Sequence, residues 1–130
     1  QARWAVAAVH SNSSRDALSR LEVMASMGEI SFSEKALKTL IASAIDLIVH
    51  ITRMADGKRR ITQIMEVRGM DGSAIVLEPV FSFDQTGTLD DQTVTGVFKG
   101  AGKEPRAAQA IRLAGIALPE DLFSDQREIL

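Results

Sequence analysis

Apolar and polar positions along this chain follow two periods, and the changes of period mark its elements. The run Trp4-Ala-Val-Ala-Ala-Val9 is short and apolar and ends at His10-Ser-Asn-Ser-Ser14. A buried strand or a helical turn fits that run; the Ser/Asn cluster and the helix start behind it favour a strand. Ser13 or Ser14 can accept a hydrogen bond from the first free helix amides, and Asp16 stands where the helix dipole favours negative charge. Ala17, Leu18, Leu21, Met24 and Ala25 then recur at helical spacing, with Arg15, Ser19, Arg20 and Glu22 off the stripe. Gly28 ends this helix. A second helix is predicted from Ser31-Phe-Ser-Glu34, which has the spacing of a capping box, with Leu37, Leu40, Ile41 and Ala44 as its apolar face.

Around Ile45 the period shortens to that of a strand. Ile45, Leu47, Val49 and Ile51 alternate with Asp46, Ile48, His50 and Thr52, which predicts a half-buried strand with the first set inward. Asp56-Gly57 supplies a tight turn, and the strand Arg59–Arg68 returns with Ile61, Met65 and Val67 on one face. Asp71-Gly72 turns into a strand over Ala74–Phe83, where Ile75, Leu77, Phe81 and Phe83 alternate. Pro79 has no amide proton to donate, so this strand is expected at an edge or with a bulge there. After the acidic loop Thr86–Gln92 comes a short strand, Thr93–Phe98, making residues 45–98 an antiparallel meander. Pro105 fits the first position of a last helix and Gly115 the position just past its end, with Ala107, Ala108, Ile111 and Leu113 along its face. Leu118–Phe123 reads as one further turn and 124–130 as a frayed tail. The whole is a single α+β domain over residues 1–130: N-terminal strand, two helices, meander, helix.

Composition narrows the function classes. The chain has 130 residues, 15 Lys+Arg against 17 Asp+Glu, and no cysteine. The near-neutral balance gives no sign of a nucleic-acid binder, and the lack of thiols excludes disulfides, iron–sulfur clusters and thiolate zinc sites and suits the cytosol. No apolar run approaches the ~20 residues of a membrane span, and no secretory leader pattern is present. The two histidines, His10 and His50, are not spaced as a helical pair and have no acidic cluster beside them, so no metal site is expected.

The strand-to-helix segment Gly96-Val-Phe-Lys-Gly-Ala-Gly102-Lys103-Glu104 is the nearest approach to a phosphate-binding loop. It has five residues between its outer glycines instead of four, and Glu104 stands where the magnesium-binding hydroxyl belongs. A carboxylate there repels phosphate, so these glycines read as turn and cap residues. His50 lies on the polar side of its strand and reads as a solvated or partly covered histidine. His10 has two readings: a plain strand-end histidine, or a group facing an anion beside free helix amides. Arg53, Asp56, Arg59 and Arg60 crowd one hairpin end, either as a solvated charged turn or as an arginine-rich end that faces a subunit or a phosphate. No triad or metalloprotease motif accompanies them.

One family resemblance gathers several of these segments. His10-Ser-Asn12-Ser-Ser-Arg15-Asp-Ala-Leu-Ser-Arg20-Leu resembles the His-box segment of the type II/type IV secretion and Flp/Tad pilus-assembly ATPases, where a His-Ala-Asn turn leads into an Asp-Ala-Leu-x-Arg-Leu helix. In the same order, Ile41-Ala-Ser-Ala-Ile-Asp46-Leu-Ile-Val is similar to the strand that follows, Arg53-Met-Ala-Asp56-Gly57-Lys-Arg59 to the family's Arg-x-x-Asp-Gly-x-Arg hairpin, and Ile64-Met-Glu66-Val to its return strand. Gly96-Val-Phe, Pro105 and Leu113-Ala-Gly-Ile116 resemble the family's C-terminal tail, so the likeness runs over residues 9–123.

The resemblance implies the C-terminal portion of a RecA-like P-loop ATPase domain, working as a hexameric ring that turns ATP hydrolysis into pilus assembly or protein export. It implies that His10 is site-proximal and senses the terminal phosphate, that Asn12 and Arg15 support it, and that Arg53, Asp56 and Arg59 are hairpin or interface residues. It further implies a cytoplasmic protein held at the inner membrane through secretion-system partners, with the nucleotide-binding half and neighbouring subunits as direct partners. The departures are specific. Arg3-Trp-Ala-Val-Ala-Ala8 replaces a glycine-rich segment, and Ala8 stands in place of a threonine. Neither Walker A nor Walker B motif occurs in these residues, so ATP and magnesium are expected of the complete assembly and not of this chain alone.

Overall fold

The computed structural model describes residues 5–129. Helix α1 runs over Ser14–Ser26, with Ser13 as its N-cap: the Ser13 hydroxyl accepts from the Asp16 amide at 3.0 Å. Helix α2 covers Glu34–Ala44 and is capped by Ser33, whose hydroxyl takes the Ala36 amide. The cap therefore sits two residues beyond Ser31, and the expected reciprocal Ser31–Glu34 box does not form. Four antiparallel strands follow in sequence order, β1 (Leu47–Arg53), β2 (Arg59–Asp71), β3 (Ala74–Thr88) and β4 (Val94–Gly100), as the meander predicts. Helix α3, Arg106–Leu113, starts one residue after Pro105 and ends with Gly115 at φ +86. The Gly115 and Ile116 amides reach back to the Arg112 and Ile111 carbonyls, so the last turn's acceptors are satisfied.

Two expectations at the ends are corrected. Ala5–Val9 form neither strand nor helix, and Trp4 lies outside the described residues. A strand needs a ladder partner for its amides and carbonyls, and this run has none among the described residues. At the other end, the residues expected to fray contain a fifth strand, β5 (Gln126–Ile129), antiparallel to β4. Its approach is guided by the Gly100 amide on the Asp125 carbonyl and the Gly102 amide on the Phe123 carbonyl.

The sheet order is β1-β2-β3-β4-β5. Bulges shift the register between His50 and Ile51, between Ile64 and Met65, and between Val67 and Gly69. Each extra residue reverses the inside-outside alternation beyond it. Met65 and Val67 therefore face the α1–α2 layer, whereas Ile61, expected beside them, faces the other way, opposite Ile51. Likewise Ile75 and Leu77 join the helices while Phe81, past the bulge next to Pro79, lies on the opposite face beside Ile64. The expected Pro79 bulge is present, in a strand paired on both sides.

Leu18, Leu37, Ile41, Val67 and Ile75 form the buried core between α1–α2 and the sheet, with Ile45, Ile48 and Leu77 packed against it. Each fully buried aliphatic side chain contributes roughly 1.5–3 kcal/mol. On the opposite face Phe81 stacks on Phe98 at 5.6 Å and meets Phe123 at 5.8 Å, so the C-terminal segment covers the β3–β4 half. Two glycines of the rejected phosphate-loop motif have packing reasons. A side chain on Gly96 would collide with the Phe83 ring, and one on Gly100 with the Phe123 backbone.

Candidate functional site

The turn that carries His10 is organised around Asp16. Its carboxylate accepts from the Asn12 amide at 2.9 Å and from Arg20 Nε at 3.1 Å, while the Ser13 hydroxyl takes the Asp16 amide. The Asn12 amide first, and the Arg20 hydrogen bond second, hold the Asp16 carboxyl below its ordinary range. Negative charge thus already occupies the start of α1. Ser14 is buried, and its hydroxyl donates to Gln63 Oε1 at 2.9 Å, which fixes the helix start to the middle of β2. Arg15 Nη2 donates to the Ile75 carbonyl at 3.2 Å, so its guanidinium supports the start of β3. His10 itself is exposed.

The hairpin residues do not join that turn. β1 exposes alternate positions, so Arg53 lies on the side of Val49 and Ile51, opposite Ile48 and the helix layer. Asp56 turns away from Arg53 and Arg59 and binds Arg60 with both oxygens, at 3.0 and 2.8 Å. The same carboxylate accepts the Val94 amide at 3.0 Å and the Lys58 amide at 3.0 Å. Arg60 also donates to the Val94 carbonyl. Both side chains are almost fully covered, at 5% and 9% exposure. Arg60 first and the Val94 amide second push the Asp56 carboxyl far below the usual carboxylate range, and Asp56 raises the Arg60 guanidinium in turn.

This clamp has an architectural cause. β2 and β3 are paired only as far as Gln63 and Ser82, so the tip of the first hairpin leaves the sheet. The Asp56–Arg60 pair spans the gap and grips the first residue of β4, whose Val94 side chain is 0% exposed. Asp56 is therefore a structural link in this chain, and Arg60 is the partner that matters to it. A charge pair four residues apart across an Asp-Gly turn was the visible signal; the Val94 backbone was not.

A second buried carboxylate has no motif to announce its role in the sequence. Glu66, on the same face as Ile64, accepts the Arg106 amide at 2.7 Å, capping α3 from a distant strand because Pro105 offers no capping side chain. Arg68 Nε lies 2.6 Å from the other Glu66 oxygen, out of line for a good hydrogen bond, and 3.5 Å from Glu78, which also meets Lys103. An acid in the middle of the apolar run Ile64-Met-Glu66-Val was the hint.

Among the described residues no set of three or more His, Asp or Glu side chains converges as a metal site, and no helix is long and apolar enough to cross a membrane. The chain matches no family model and no curated protein.

Proposed function

We propose that this chain is the C-terminal portion of a ring-forming RecA-like ATPase of the secretion and pilus-assembly kind. The ordered motifs from the His10 turn, through the Asp56-Gly57 hairpin, to Leu113-Ala-Gly-Ile116 support the reading from the sequence side. One structural observation carries it. β1 is an edge of the sheet, and its Leu47, Val49 and Ile51 side chains stand 43%, 50% and 58% exposed. An unpaired strand with an apolar row is a template for further polypeptide, and the nucleotide-binding half of such an ATPase would supply it.

On this reading His10 senses the terminal phosphate of a nucleotide held by that half, and Asn12 and Arg15 shape its turn. The hairpin of Arg53, Asp56 and Arg59 stands at the boundary between subunits, its arginines open to a ligand there. The complete ring binds ATP and magnesium and sits in the cytoplasm against inner-membrane components of the export machine. The loop amides, lysine and acid that stabilise phosphoryl transfer are not among these residues, so the isolated chain does not hydrolyse ATP. Purified chain incubated with magnesium-ATP is expected to show no turnover. Mixed with the nucleotide-binding half of a family ATPase, it is expected to form a complex whose turnover falls on His10→Ala. Turnover by the chain alone that His10→Ala abolishes would overturn the reading, as would a monodisperse monomer with no affinity for that half.

A second reading has its own observation: Ala8 in the threonine's place, behind a run without the family's glycines. It makes the chain a non-catalytic docking or regulatory module of the same machine, and a complex that forms without regaining turnover selects it.

A further inference from the structure

Arg53 and Arg59 stand directly opposite one another on adjacent strands, the last residue of β1 facing the first of β2. Directly opposite residues share a face with Cβ atoms roughly 4.5–5.5 Å apart, where like charges repel. Both side chains are exposed. Arg20, Arg60, Arg68, Arg112 and Arg127 each lie against a carboxylate, and Arg15 donates to a carbonyl. Among the described residues, the Arg53, Arg59 and Arg106 guanidiniums form no ion pair and no hydrogen bond, and of these Arg53 and Arg59 face one another across the ladder. The acid of their own turn is not free to relieve them, because Asp56 already takes Arg60, the Lys58 amide and the Val94 amide. Arg53 is also folded toward the turn, its Nη2 only 3.9 Å from where a side chain on Gly57 would begin. The turn glycine, at φ +81, leaves that space open.

We propose that Arg53 and Arg59 together bind a phosphoryl oxyanion at the tip of the first hairpin. The choice of anion follows from the fork geometry of guanidinium. One arginine fork engages both oxygens of a carboxylate side by side, and a second arginine then reaches only the outward lone pairs and loses its own two-pronged fit. A phosphoryl group has at least three terminal or bridging oxygens around one centre and can present oxygens to two forks at once. Binding cancels the repulsion between two residues that the strand register forces together. The apolar neighbours Ile51 and Ile61, opposite each other on the same face, lie alongside for any organic group the phosphate carries. Lys58, the residue before Arg59 in the same turn, adds positive charge to this end of the hairpin.

The shared chemistry is the phosphoryl group, whether free or carried on a nucleotide. The test follows arginine Nε–Hε signals of the whole chain by NMR at constant ionic strength during titration with orthophosphate, pyrophosphate and ADP. Saturable shifts of Arg53 and Arg59 with one common midpoint are expected for pyrophosphate, with Arg20 and Arg127 unmoved. R53Q and R59Q are each expected to weaken binding about tenfold or more while leaving the backbone amide spectrum folded, and R127Q is expected to change nothing. ADP binding more tightly than pyrophosphate identifies a nucleotide source, and equal binding identifies the phosphate group alone. Shifts that rise without saturating, equal shifts at Arg20 and Arg127, or glutarate binding as tightly as pyrophosphate would each overturn the proposal, the last in favour of a carboxylate-bearing protein partner.

Discussion

On one side of β1, Ile48 packs into the cluster of Leu18, Leu37 and Val67; on the other, Leu47, Val49 and Ile51 meet water. Residue type predicts the reverse of this, since the row toward the helices holds His50 and Thr52 beside Ile48, while Leu47, Val49 and Ile51 are all aliphatic. What separates them is the supply of covering elements. α1 and α2 are long enough to cover one face. The C-terminal segment reaches the other over β3 and β4, where Phe123 meets Phe81, and at Glu66 of β2, which takes the Arg106 amide, and leaves Leu47, Val49 and Ile51 of β1 exposed. An edge strand whose outward row is its more apolar one resembles the strands of doubly covered sheets more than those of a half-solvated meander. The contrast teaches that hydrophobic pattern records the final environment of a strand, whereas burial records only the elements in hand.

The contrast is sharpest in stability. Leu18 is 2% exposed at the centre of the covered side, and truncating it leaves a cavity between α1 and the sheet. Leu18→Ala is expected to cost about 3 kcal/mol in urea unfolding, with an unchanged denaturant slope. A loss below about 1 kcal/mol would mean that the α1–α2 layer is not the true cover of this face.

The next test concerns the clamp that holds the hairpin tip to β4. The folded pKa of Asp56 is depressed by Arg60 and the Val94 amide. The sign follows from linkage: this contribution is complete above about pH 4, where the unfolded carboxyl is ionised, and is lost as pH falls toward the lower folded value. Asp56→Asn is therefore expected to melt roughly 5–10 °C below the parent at pH 7, and the gap is expected to narrow steadily below about pH 4. Thermal melts across that range decide it. A gap of the same size in acid as at neutrality would show that hydrogen-bond geometry, and not charge, secures the tip.

Much of this arrangement was legible in the residues. Ser13 with Asp16, the glycines of the two Asp-Gly turns, Pro79 with its bulge and Gly115 at the end of α3 are local signals, and local backbone chemistry decides them. Side-chain direction in β1 and β2 was not legible, for two physical reasons. Leu47, Val49 and Ile51 alternate with His50 and Thr52, so the phase of β1 is plain, but the face it marks as inward is the one this chain leaves uncovered, and Ile48 of the other set packs on the core. The bulges then reverse the phase wherever they fall, and a bulge leaves no fixed mark in sequence. β5 escaped because Gln126-Arg-Glu-Ile129 has no strand signature of its own; the open edge of β4 recruits it. At the candidate site, the crowding of charge around Asp56 was visible, but its division into a buried Asp56–Arg60 clamp and an outward Arg53–Arg59 pair depends on strand pairing. The links from Asp56 to Val94 and from Glu66 to Arg106 join residues far apart in sequence, and no spacing rule reaches them.

The smallest expected effect is also the one that bears most on the proposed partner. Val49 and Ile51 have half or more of their surface in water already, so replacing either by threonine removes little buried apolar area and keeps the β-branched shape. Val49→Thr and Ile51→Thr are each expected to change unfolding free energy by less than about 0.5 kcal/mol. An effect on the scale of Leu18→Ala would mean that this row is covered within the isolated chain, by self-association or by residues 5–9 folding onto the edge. Neutral stability together with a lost complex would have the opposite meaning. In a mixture with the nucleotide-binding half, desolvating a hydroxyl without a partner opposes docking, so each threonine is expected to weaken the complex while leaving the free chain as stable as before. That separation between folding and association is what a strand shaped for a neighbour requires, and a row of solvent-adapted side chains would not produce it.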